Sequence, residues 1–170
     1  MANGCGKTNE NIYFRCRKEA AKYDERLSSR EGASELLGIS VSSLSDYELG
    51  NTKVVPVDKV DLMAALYKSP QLRAIYCKTE CPIGKYLPIA TEIKSIETVA
   101  IRILHALEES KIDEMKKQLL AVASEGKIDT FDIPVLKDIR EYLVMLQTVI
   151  SELHLLCDKE VLEGERKKSP

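Results

Sequence analysis

Hydrophobic residues in the first 87 positions recur at helical spacing within short segments. One predicted helix runs from Ile12 to Tyr23, with Ile12, Cys16, Ala20 and Tyr23 on a single face. Another apolar stripe predicts a helix over Val57–Tyr67. Ser69 then caps a fifth helix that has Pro70 at its first position and extends to about Cys77.

The strongest local signals lie between these two stripes. Ser28-Ser29-Arg30-Glu31 has the pattern of a capping box, and the helix that follows ends at Gly38. Ser40 caps a further helix, which ends at Gly50. Two helices of two to three turns, joined by about three residues, predict a helix-turn-helix.

The second half of the chain has longer stripes. The three predicted helices carry Ile93, Ile96, Ala100, Ile103 and Leu107; Ile112, Met115, Leu119 and Val122; and Leu136, Ile139, Leu143, Leu146, Ile150, Leu153 and Cys157. Val135, Tyr142, Val149 and Leu156 form a second apolar row on the last helix, which predicts contact with more than one neighbour. These heptads fit an intramolecular three-helix bundle, a dimer seam, or both.

Pro82, Gly84 and Pro88 interrupt the helical pattern and mark a domain boundary. We therefore predict an all-α chain with a five-helix domain over residues 1–87 and a three-helix bundle over residues 88–160. The charged segment 161–170 is predicted to be a flexible tail.

Composition excludes several classes of protein. With 44% hydrophobic and 31% charged residues the chain is globular, and its low aromatic content disfavours a β-sandwich. No apolar run is long enough to span a membrane, and the start of the chain lacks the apolar core of a signal peptide. We therefore expect a cytoplasmic protein. Residues 1–87 carry 13 basic against 11 acidic side chains, a sign that favours a polyanionic partner.

Cysteine and histidine give weak signals for chemistry. Five scattered cysteines suit reduced thiols. Cys77 and Cys81 have a spacing that two zinc ligands could have, with Cys5 and Cys16 as further candidates, but a closed site needs four ligands. His105 and His154 lie far apart on amphipathic helices. We predict no metal, no cofactor and no catalysis.

The segment from Ser28 to Asn51 resembles the lambda-repressor-like (XRE-type) helix-turn-helix family. The matching motifs are Leu37-Gly38-Ile39-Ser40 in the turn, Ser43-Leu44-Ser45 in the second helix and Glu48-Leu49-Gly50-Asn51 at its end. The resemblance extends over about residues 10–77. It implies a transcriptional regulator that binds a double-stranded DNA operator through the second helix.

The resemblance also implies a set of contact residues. Val41, Ser42, Ser43 and Asp46 would face base edges, while Ser29 and Arg30 would meet a phosphate at the start of the first helix of the motif. Asn51, Thr52 and Lys53 would contact the DNA backbone. Glu48 would pair with Arg17 of the preceding helix, although Arg15 is nearly as well placed.

One feature departs from the family pattern, because the recognition helix has two acids and no basic residue before Asn51. It keeps an alternative open: a protein-interaction adaptor that uses the C-terminal bundle and whose helix-turn-helix does not bind DNA. A module that reads a groove with one short helix usually gains affinity by pairing. We therefore expect a homodimer with its seam on the helix from Leu136 to Cys157.

Overall fold

The computed structural model describes residues 11–124 and 126–168. The eight α-helices in this part of the chain are α1 (Ile12–Ala20), α2 (Arg30–Leu37), α3 (Val41–Leu49), α4 (Val57–Leu66), α5 (Gln71–Thr79), α6 (Ile96–Ala106), α7 (Glu109–Ser124) and α8 (Asp132–Lys168). Two short 3-10 helices cover Glu25–Ser28 and Gly84–Tyr86, and no strand occurs among the described residues. The all-α prediction is confirmed.

The chain forms two compact units. Residues up to Leu87 and those from Asp158 onward make the first unit, and Pro88–Cys157 makes the second. None of the described helices is long and apolar enough to cross a membrane.

The first unit has one apolar core to which every one of its first five helices contributes. The core includes Tyr13 and Cys16 of α1, Leu44 of α3, Met63 of α4 and Leu72 of α5. Tyr23 and Val57, which the sequence pattern put on core faces, are 70% and 62% exposed. The reason for Tyr23 is that α1 ends at Ala20, so the helical periodicity no longer applies there.

Local signals set the helix boundaries around α2 and α3. Gly38 and Gly50 follow these helices with φ values of 62° and 71°, in the left-handed region that glycine adopts without steric cost. Ser40 caps α3 by accepting a hydrogen bond from the Ser43 amide at 3.0 Å. These three predicted signals are confirmed.

The predicted capping box at Ser28 is wrong by one residue. Ser29 is the cap of α2 and accepts from the Gly32 amide at 3.1 Å, which leaves Glu31 one position too early to reach back. Ser28 ends the preceding 3-10 helix, and its carbonyl accepts hydrogen bonds from Arg17 and Lys18 of α1. Ser69 likewise does not cap α5, since its hydroxyl donates to the Tyr67 carbonyl.

The second unit contains α6, α7 and the greater part of α8. Tyr142 of α8 donates its hydroxyl to the Ala106 carbonyl at the end of α6, at 2.6 Å. Buried Glu152 accepts from Lys94 at 2.5 Å and from Arg102 at 2.8 Å. A reciprocal pair of bonds begins α8: the Asp132 amide donates to the Asp129 carboxylate, and the Asp129 amide donates to the Asp132 carboxylate.

Two expectations for the second half of the chain need correction. The buried face of α6 is formed by Val99 and Ala106, whereas Ile96 and Leu107 of the predicted stripe are exposed. The helix α8 does not give way to a tail at residue 161, because it continues to Lys168. Good helix formers dominate residues 161–168, which is the local reason for the extension.

Candidate nucleic-acid interface

The helix pair α2–α3 is held by apolar side chains from both helices and from the turn between them. Leu37 at the end of α2 is buried, Ile39 in the turn packs against the core, and Leu44 of α3 is fully buried. The Ile39 amide donates to the Ser34 carbonyl at 3.1 Å, which ties the turn to α2. The three residues Gly38–Ser40 are therefore enough to fold the second helix back against the first.

The first turn of α3 is the most accessible part of this helix. Val41 is 40% exposed and Ser42 is exposed, so both side chains are free to meet a ligand surface. Ser43 is half-buried, and its hydroxyl lies 2.8 Å from the Ser40 hydroxyl in a hydrogen bond. Of the three residues predicted for this turn, Val41 and Ser42 are therefore the more available.

The far end of α3 brings two predicted residues together. The Asn51 side-chain amide donates to the Asp46 carboxylate at 3.1 Å, and the Asn51 backbone amide donates to the Asp46 carbonyl at 2.9 Å. The Thr52 amide reaches the same carbonyl at 3.4 Å. Asp46 is half-buried and Lys53 is exposed. The predicted base-facing acid and the predicted backbone-contacting loop thus form one hydrogen-bonded group.

Glu48 is fully buried, and its carboxylate accepts hydrogen bonds from two guanidinium groups. Arg17 donates to its carboxylate from Nε at 2.5 Å and from Nη2 at 3.0 Å, and Arg17 itself is only 2% exposed. Arg30 donates from Nε at 2.7 Å. The pairing of Glu48 with Arg17, rather than with exposed Arg15, is confirmed.

This cluster changes two features of the predicted interface. One of the two acids of α3 is removed from its surface, because Glu48 is buried and its charge is compensated. Arg30, predicted to contact a phosphate, forms an ion pair with Glu48, and its side chain is 30% exposed. Ser29, beside it, is exposed, and its hydroxyl serves as the helix cap.

Sequence reasoning did not find the role of Asn11. Its carboxamide oxygen accepts from the amides of Tyr13 and Phe14 and so caps α1. Its Nδ2 donates to the Tyr47 carbonyl of α3 at 2.9 Å. Asparagine before an apolar stripe is a capping signal that was available in the sequence. The second bond depends on the approach of α1 to α3, which no local signal reports.

The cysteines do not assemble a metal centre in the part of the chain that is described. Cys77 and Cys81 are half-buried, Cys157 is exposed, and burial raises the pKa of the Cys16 thiol above its usual value. Cys5 lies outside the described residues. No group of three or more potential His, Cys, Asp or Glu ligands occurs among residues 11–124 and 126–168.

Comparisons with known proteins found no relative of this chain. The chain matches no family model, no curated protein and no solved structure.

Proposed function

We propose that this chain is a sequence-specific DNA-binding regulator of transcription in which α3 lies in the major groove. The observation that carries the proposal is the exposed first turn of α3, held in a fixed orientation by a fully buried Arg17–Glu48 pair. A helix of nine residues is about 13 Å long, and the major groove is about 12 Å wide and admits one α-helix.

The accessible side chains suit the reading of base edges. Val41 can contact a thymine methyl group, and the Ser42 hydroxyl can donate to or accept from a base. The Asp46 carboxylate can accept from a cytosine amino group through the oxygen that Asn51 does not hold. Specificity at the Asp46 position would then depend on both members of the Asp46–Asn51 pair.

The electrostatics favour DNA more than the sequence suggested. Glu48 contributes no exposed acid, so Asp46 is the remaining carboxylate of α3. Arg30 stands at the first position of α2, where backbone amides and the helix dipole also attract a phosphate. Exposed Lys53 supplies a cation beyond the other end of α3. The adaptor alternative rested on an acidic recognition helix, and the burial of Glu48 removes one of its two acids.

The first experiment measures binding of the full chain to genomic fragments that include its own promoter, as a function of salt. With about four to six phosphates contacted per protomer, log K should fall with log salt at a slope of roughly −4 to −5. Two copies on one operator would read half-sites about one DNA turn apart, roughly 34 Å. No binding at 50 mM salt, or binding independent of salt, would contradict DNA recognition altogether.

Substitutions then separate base reading from backbone contact. Ser42→Ala and Asp46→Ala should change which bases are preferred, whereas Lys53→Ala should weaken all sequences alike and reduce the salt slope by about 1. Lys117→Ala, an exposed lysine of α7, is the matched control and should change neither quantity. If Ser42→Ala, Asp46→Ala and Lys53→Ala all weaken the binding of every DNA sequence equally, α3 is not the recognition helix.

A further inference from the structure

A carboxylate at the end of α5 joins three parts of the first unit. Glu80 accepts a hydrogen bond at Oε1 from the Tyr13 hydroxyl of α1, at 2.6 Å, and another at Oε2 from the Val55 backbone amide, at 2.7 Å. Tyr13 and Val55 lie 67 and 25 residues away from Glu80 along the chain and are 4% and 2% exposed. Glu80 itself is half-buried. Both of its oxygens are therefore held by donors that only the tertiary fold brings together.

The Val55 amide belongs to the segment between α3 and α4, residues 50–56, which we call the α3–α4 loop. Hydrogen bonds hold this loop at two places. At its start, two backbone amides donate to the Asp46 carbonyl, and at its end the Val55 amide donates to Glu80. Lys53, predicted to contact the DNA backbone, is exposed and lies between these two anchors. The course of the chain at Lys53 is therefore set from both sides.

The bond from Val55 to Glu80 is a strong anchor for the loop. A hydrogen bond to an ionised carboxylate is roughly twice as strong as one between neutral groups. The Val55 side chain also belongs to the apolar core, and the Tyr13 bond orients the carboxylate by holding its second oxygen. Lys53 is two residues before Val55, so their Cα atoms are at most about 7 Å apart. A shift of the backbone at Val55 would therefore carry Lys53 with it.

We propose that Glu80 is a positioning residue for the candidate nucleic-acid interface: it holds the Val55 amide, fixes the α3–α4 loop and so places Lys53 against the DNA backbone. The proposal rests on the proposed function and extends it, because Glu80 acts through the loop and not by contact with DNA. The loss of a negative charge by itself favours binding to a polyanion. Loss of Glu80 should nevertheless weaken binding, because the loop no longer holds Lys53 in place.

The first measurement is a double-variant cycle of DNA affinity in the full chain, built from Glu80→Ala and Lys53→Ala. One phosphate contact contributes about eightfold to the affinity at 100 mM salt, and its loss reduces the salt slope by about 1. Glu80→Ala should therefore weaken binding by about eightfold in the wild-type chain, but by less than about twofold in the Lys53→Ala chain. Asp61→Ala is the matched control, since it removes an exposed acid of the same unit and should not weaken binding.

The second measurement needs no DNA. Amide hydrogen exchange of the free chain, followed by NMR, should show the Val55 amide exchanging about tenfold faster in Glu80→Ala than in wild type. The Tyr67 amide, which donates to the Met63 carbonyl at 2.9 Å, is the reference and should keep its wild-type rate. Glu80→Gln retains one acceptor oxygen and should restore part of the protection and of the DNA affinity. If circular dichroism shows that Glu80→Ala loses helix, Glu80→Gln replaces it in both measurements.

The outcomes separate this inference from DNA binding itself. An unchanged exchange rate at Val55 would overturn the proposal. Equal weakening of DNA affinity by Glu80→Ala in both backgrounds, or an equal rise in exchange at Tyr67, would also overturn it, because Glu80 would then stabilise the unit as a whole. Faster exchange at Val55 alone, in a chain that binds no DNA at any salt concentration, would support the loop anchor and contradict the proposed function.

Discussion

The buried carboxylate of Glu48 is the most informative point at which to perturb the first unit. Glu48→Gln preserves the size of the side chain but removes its charge. Arg17 would then keep a guanidinium that is only 2% exposed, with no counter-ion on α3. Its hydrogen bonds to the carbonyls of Leu27 and Ser28, at 2.9 and 3.1 Å, would remain.

Removing one partner of a buried ion pair costs about 3–5 kcal/mol. The two retained carbonyl bonds place the expected loss of unfolding free energy near the lower end, at about 3 kcal/mol. With a urea dependence of about 2 kcal/mol per molar, the unfolding midpoint should fall by about 1.5 M. Such a loss is a large fraction of the roughly 5–15 kcal/mol that stabilises a typical domain.

Urea unfolding of the full chain can be followed by the near-ultraviolet circular dichroism of tyrosine. The chain has no tryptophan, and six of its seven tyrosines lie in the first 87 residues, so the signal reports mainly on the first unit. Asp61→Asn is the matched control, because Asp61 pairs with Arg73 at 2.6 Å on the surface, where the two side chains are 65% and 47% exposed. An exposed pair of this kind is worth less than about 1 kcal/mol.

A midpoint for Glu48→Gln that falls no further than that of Asp61→Asn would refute the reasoning. A double variant gives a second check. Arg17→Met combined with Glu48→Leu removes both fully buried charges. The double variant should be more stable than Arg17→Met or Glu48→Leu alone, because the guanidinium that still loses its partner, that of Arg30, is 30% exposed. A double variant that loses the sum of the two single effects would show that the two side chains act independently.

Three further predictions concern the first unit. Ser40→Ala should cost about 1 kcal/mol of unfolding free energy in urea titrations because α3 loses its cap, while Ser42→Ala on the same turn should cost much less. Burial raises the pKa of Tyr13 well above the ordinary value of 10.0. The contribution of Tyr13 to the free energy of unfolding should therefore be fully present below pH 10 and be lost as pH rises beyond it. Between pH 9 and 11, the Tyr13→Phe variant should lose less free energy of unfolding than the wild-type chain does. Gly84→Ala should lower the free energy of unfolding by about 1–3 kcal/mol or more, because the added Cβ would lie 1.8 Å from the Cys77 carbonyl oxygen. An unchanged midpoint of urea unfolding would contradict this packing.

The sequence alone determined the class of fold and most of the helix boundaries around α2 and α3. Gly38, Ser40 and Gly50 set helix ends through hydrogen bonds and backbone angles within a few residues, so these helix ends can be predicted from the local sequence. The start of α2 was misplaced because Ser28 and Ser29 are equal in capping chemistry. The choice between them depends on α1, whose Arg17 and Lys18 hold the Ser28 carbonyl.

Tertiary structure alone decided which apolar rows are buried and which charges are exposed. A heptad pattern predicts that α8 has two apolar rows, but only the packing of the second unit shows that Val149 faces inward and Ile150 outward. In the same way, Glu48 counts as an acid of the recognition helix until Arg17 and Arg30 approach it from two other helices. Periodicity reports where side chains point relative to their own helix. The identity of the neighbour depends on contacts between residues far apart in the chain, and these set both burial and charge.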